Sequence, residues 1–140
     1  MAESENLAPD LAEIERLAEK ALAAIPPELA RHVRDVVLRV EDFCDEETER
    51  EMGLDSPYEL MGLYRGIDMM RDSTSTVRTQ PDMIFLYRRP LLDYWCESGE
   101  DLAHVVRHVM IHEIGHHFGF SDDDMERIEA AADLNAERTA

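Results

Sequence analysis

His112 and His116 lie four residues apart. On a helix that spacing puts both imidazoles on one face, one turn apart, where they can share a single metal ion. Glu113 follows the first of them and is placed to hold and deprotonate a water at that ion. Gly119, three residues beyond His116, can take the positive φ that ends a helix and reverses the chain. Three residues further on, Asp122 can return a carboxylate to the same ion. His112, His116 and Asp122 thus form a three-donor zinc set with an open fourth position, and Glu113 is the candidate catalytic base.

Other residues nearby compete for these roles. His104, His108, His112 and His116 recur every fourth residue, so His108 and His112 form a rival ligand pair. Glu113 and Gly119 are registered to His112 and His116, which favours the later pair. His104 and His108 are expected to be exposed or to support the ligands. His117 points about 100° away from His116 on a helix and is expected to pack. Asp123 and Asp124 remain alternatives to Asp122, because Ser121 followed by three aspartates also reads as the capped start of a helix. The stretch Val105–Ile111 before the motif is largely apolar. It marks a buried helix, in which histidines and a glutamate are costly unless partnered.

The pattern His-Glu-x-x-His-x-x-Gly-x-x-Asp resembles the zincin superfamily, and within it the small bacterial zincin-like metallopeptidases, or minimal zincins. Val109 to Glu129 is the closest match. Ile84–Pro90 and Gly62–Gly66 also fit, and the likeness runs from about Ile25 to Ala131. The resemblance implies Zn2+ as cofactor, His112 and His116 as ligands, Glu113 as base and a peptide or protein as substrate. Asp122 departs from the third histidine of metzincins but matches snapalysin-type peptidases. Met125 comes too early to form a separate methionine turn. Two other readings stand beside the peptidase: a catalytically silent zinc-binding or regulatory domain, and a metal-dependent ribonuclease. The latter would resemble the bacterial ribosomal-RNA maturation proteins, which lack a glutamate after the first histidine. Glu113 argues against it.

Composition narrows the partners. The chain has 140 residues, 44% of them hydrophobic, enough for one packed core. Its net charge of −18, from 32 acidic and 14 basic residues, opposes binding to nucleic acid and to anionic membranes. Cys44 and Cys96 stand in no metal-binding spacing and are expected as free thiols. Neither a secretory leader pattern nor a membrane-spanning apolar run is present, so a cytoplasmic location is expected. Oligomeric state is not legible.

The elements that must position the site follow from periodicity. A single α+β domain is expected over residues 1–140, with 1–9 flexible and an amphipathic helix over 10–24 ended by Pro26-Pro27. A helical turn is expected at Glu28–Arg31, strands at Asp35–Glu41, Leu60–Arg65 and Met83–Arg88, and an acidic helical turn at Asp45–Met52. Ile67–Asp82, with Asp72–Thr76, reads as a loop that could border a cleft. The motif helix should run from Glu100 to Phe118 and a last helix from Asp123 to Asn135. Pro90 should stop the third strand, whose edge could pair with an extended peptide. Tyr64, Arg65, Tyr87 and Tyr94 are candidates to stabilise an oxyanion. The expected architecture is a small twisted sheet packed on the motif helix and the N-terminal helix.

Overall fold

Asp10 starts the first helix, its side chain accepting from the Glu13 amide at 2.9 Å. In this computed structural model, which describes residues 7–33, 35–66 and 81–139, helix α1 spans Leu11–Ala24. It buries Ile14, Ala18, Ala21 and Ala24, the face expected from their spacing. Ile25 and Pro26 leave the helical conformation, and a short α2 follows at Pro27–Ala30. Strand β1 is Val37–Glu41. The acidic stretch forms a true helix, α3 (Glu46–Met52), capped by Asp45 and closed by the left-handed Gly53.

Among the described residues the sheet has three strands. β2 (Gly62–Arg65) and β3 (Met83–Tyr87) complete it in the order β1-β3-β2, β1 parallel and β2 antiparallel to β3. This corrects one expectation. β3 is the central strand, with Ile84 and Leu86 fully buried, and both its edges are already paired. An extended peptide cannot add there; among the described residues the edge strands are β1 and β2.

A second correction concerns Pro90. The chain does not break after β3. Arg88 begins helix α4 (Arg88–Ser98), and Pro90 sits inside its first turn, where a missing N–H costs no helical hydrogen bond. No sequence expectation covered this helix. The proline reads as a strand stop, and the apolar Leu91, Leu92 and Trp95 after it are too short a run to announce a helix by themselves. Gly99 closes α4 in the left-handed conformation.

Helix α5 (Leu102–His117) is the centre of the molecule. Val105, Val106, Val109, Met110, Ile111 and Ile114 are buried against α1, β2 and the last helix, α6 (Asp122–Thr139). The main core joins them to Ile14, Leu29, Ile84, Leu86, Met125 and Ile128. Burying aliphatic side chains of this size contributes roughly 1.5–3 kcal/mol each. Cys44 and Cys96 are free, as expected. No helix among the described residues is long and apolar enough to cross a membrane. The loop expected over Ile67–Asp82 lies outside the described residues up to position 80, and residues 1–6 of the N-terminal segment lie outside them too.

Candidate metal centre

The chain turns from α5 into α6 where the glycine spacing foresaw it. The Phe118 amide donates to the Ile114 carbonyl at 3.1 Å, and Gly119 takes φ +82°. That angle is costly for an L side chain and free for glycine. The Phe120 amide then donates to the Gly115 carbonyl at 2.9 Å. Ser121 Oγ accepts from the Asp124 amide at 3.1 Å and so caps α6, leaving Asp122 as the first residue of that helix. Ser121 is thus the cap, and Asp122 is turned back toward α5.

His116 Nε2 faces Asp122 Oδ1 across the turn at 3.9 Å. The two side chains are 60% and 92% exposed, respectively, so the pair opens to solvent. His112 lies deeper. Burial, followed by the neighbouring His108, holds its imidazole below the usual histidine range, which keeps it neutral and able to donate a lone pair. The His112 and His116 rings stand edge to face with centroids 5.8 Å apart. Glu113 is half-buried, and the loss of solvent around it alone pushes its carboxyl up to about 7. A base poised near neutrality suits proton transfer.

The donor set fits zinc in its chemistry. Two imidazoles and a carboxylate are the N and O ligands of catalytic zinc, and ligands on one tetrahedral ion sit about 3.3 Å apart. The 3.9 Å between His116 and Asp122 is a few tenths of an ångström wider.

Glu129 on α6 is the residue that sequence reasoning missed. Its Oε1 lies 2.8 Å from His108 Nδ1 and 3.8 Å from His112 Nε2. Among the described residues, two groups bring three donor atoms within 4.8 Å of one another: His108, His112 and Glu129, and His104, Glu129 and Asp133. The set of His112, His116 and Asp122 is not one of these groups. A sequence signal existed in the four-residue spacing of Glu129 and Asp133, which puts both on one face of α6. Nothing in the sequence says that this face meets the histidine row.

His117 leaves the metal face, as expected. Its ring packs on Tyr64 of β2 with centroids 4.2 Å apart. The proposed oxyanion donors are engaged elsewhere. Tyr64 donates its hydroxyl to Asp82 at 2.7 Å, and Arg65 pairs with Glu51 at 3.4 Å. Tyr94 donates to Glu100 at 2.9 Å. Tyr87 is buried with Cys44 and Leu60 in a separate cluster, where burial pushes its hydroxyl up.

A family described as zincin-like metallopeptidase matches residues 33–132 of the chain, a span that holds the sheet, α5 and most of α6 and omits α1. No curated protein matches it at a significant level.

Proposed function

The chain belongs to the zincin-like metallopeptidase family, and from that premise we propose that it is a zinc-dependent peptidase with His112, His116 and Asp122 as ligands and Glu113 as general base. The observation that carries this reading is the pairing of His116 with Asp122 across the Gly119 turn at 3.9 Å. It sits beside His112, whose imidazole is shifted down by burial, and the half-buried Glu113, whose carboxyl rises to about 7. Zinc, when bound, supplies polarisation of the scissile carbonyl and acidification of water. Glu113 accepts the proton from water at its carboxylate and passes it to the leaving amine. His112 and His116 hold their positions through the buried half of α5, and Asp122 is fixed by the cap at Ser121. The substrate is a peptide or protein, and the excess of acidic groups disfavours nucleic acid and anionic membrane surfaces. A cytoplasmic location accords with the sequence features.

One observation favours a zinc-binding domain without turnover. The side chains expected to stabilise an oxyanion are bonded to carboxylates or buried away from α5. Hydrolysis of a peptide library by the zinc-loaded chain, set against Glu113→Gln, decides between the two. The peptidase reading expects Glu113→Gln to keep its zinc and lose roughly a hundredfold or more in turnover. Equal turnover in both proteins defeats the assigned base, and zinc binding with no turnover by the wild-type chain supports the silent domain.

A further inference from the structure

We propose that the groove between α5 and α6 holds a second divalent cation site, made by His104, Glu129 and Asp133, distinct from the His112–His116 position. Two four-residue spacings meet there: His104 and His108 on α5, Glu129 and Asp133 on α6. Metal sites in helical proteins are built this way, from side chains on facing helices.

One donor atom from each of the three residues lies within 4.8 Å of the other two, near enough to gather around one ion. His104 Nδ1 is 3.3 Å from Asp133 Oδ1, and its other ring nitrogen, Nε2, is 3.5 Å from Glu129 Oε2; an ion takes one of these two nitrogens. All three residues are partly buried, with Glu129 the most enclosed at 15% side-chain exposure. Both oxygens of Glu129 approach His108 Nδ1, at 2.8 and 3.0 Å; Oε1 also lies 3.8 Å from His112 Nε2, and Oε2 3.5 Å from His104 Nε2. Glu129 therefore stands between the two metal positions.

Charge points the same way. Both ring nitrogens of His104 face carboxylate oxygens, because Glu100 Oε1 also lies 3.6 Å from Nε2. A neutral imidazole donates only one N–H. The second contact needs a second proton or a cation. Three carboxylates converge on this histidine, and the opposing positive side chain is Arg107, whose Nε donates to Asp133 Oδ1 at 3.0 Å. Arg107 fixes the Asp133 carboxylate as outer partners of metal ligands do, and the other lone pairs of Asp133 stay available. Its charge also makes this site the weaker of the two. One imidazole with two carboxylates suits a first-row divalent ion such as zinc.

The test is zinc stoichiometry by equilibrium dialysis on the tag-free full chain, with Zn2+ alone as the probe. The wild-type chain is expected to hold two equivalents. His104→Ala and Asp133→Asn should each lower this to one. A His112→Ala/His116→Ala variant should keep one equivalent, and adding His104→Ala should remove it. Circular dichroism melting confirms that each variant is folded, and Asp133→Asn serves as the near-isosteric control. The proposal is overturned if no equivalent is lost on changing His104 or Asp133 in a folded protein. It is equally overturned if the double histidine variant binds no zinc, since its partners would then be a protonated helix-to-helix network. Failure of the motif site alone removes the equivalent tied to His112 and His116 and leaves the one tied to His104, so the two failures are distinguishable.

Discussion

Glu113 shows how one half-buried carboxyl links the site to stability. Its folded-state value is pushed up from 4.5 to about 7. The folded protein therefore keeps this proton over a window where the unfolded chain has lost it. The stabilisation is complete below about pH 4.5 and is lost as pH rises through about 7. At about 1.4 kcal/mol per unit this amounts to at most on the order of 3 kcal/mol in the metal-free protein. Thermal melts of metal-free wild type and Glu113→Gln across that window should diverge: the wild type falls relative to the variant as pH rises, and parallel curves would refute the burial cause. Asp122 sets the second prediction at this scale. If it is the third ligand, Asp122→Ala weakens zinc binding by far more than Asp123→Ala or Asp124→Ala. Zinc titration with a competing chelator measures this. Glu129→Gln belongs in the same series, because Oε1 of Glu129 lies 3.8 Å from His112. In a His104→Ala background, which lacks the second site, an affinity loss at Glu129 with none at Asp122 would move the third ligand from the turn to the body of α6.

The pairing of α5 with α6 depends on a residue that the motif leaves unspecified. A Cβ at Gly115 would collide with the thioether of the fully buried Met125, the first buried residue of α6. Glycine at this place lets α6 pack close enough for Asp122 and Glu129 to face the histidine row. Gly115→Ala should therefore destabilise by about 1–3 kcal/mol through overpacking, despite the better helix propensity of alanine. Denaturant unfolding measures it, and an unchanged or higher midpoint would show that Met125 yields easily. Met125 comes too early in the chain for a separate methionine turn. It does not form one, but it lies directly beneath the motif helix. Histidine spacing gave no hint of this, because it depends on the angle at which α6 returns.

Across the whole molecule, a net charge of −18 places like charges close together. The acidic excess lies on exposed surface such as Glu46, Glu47 and Asp122–Asp123. Screening this repulsion should stabilise the fold. The melting temperature of the metal-free chain is expected to rise as sodium chloride is raised from about 10 mM, where the Debye length is about 30 Å, to about 150 mM, where it is about 8 Å. A fall would show that paired contacts such as Arg127 with Glu28 outweigh the net repulsion. Helix α1 lies outside the matched family span yet packs on α5 and α6. It covers the apolar side of the motif helix and leaves the histidine face to α6 and solvent.

The sequence alone determined the histidine spacing of the candidate site and the turn that follows it. Helical spacing places His112 and His116 on one face whatever surrounds them. Glycine at 119 answers a φ of +82° that few other residues adopt, and Ser121 with three aspartates marks a helix start by local hydrogen bonding. The amphipathic period of α1 and the apolar run of α5 were legible for the same reason, since each is a property of neighbours along the chain. Tertiary structure decided what local rules cannot reach. It made β3 central instead of an edge, because strand order depends on long-range pairing. It carried the chain through Pro90 into α4, because a proline in a first turn is harmless only if the residues after it find something to pack against. And it set Glu129 and Asp133 opposite His104, His108 and His112, because the crossing of α5 and α6 is fixed by the close approach of Met125 to Gly115 and by the core beneath them.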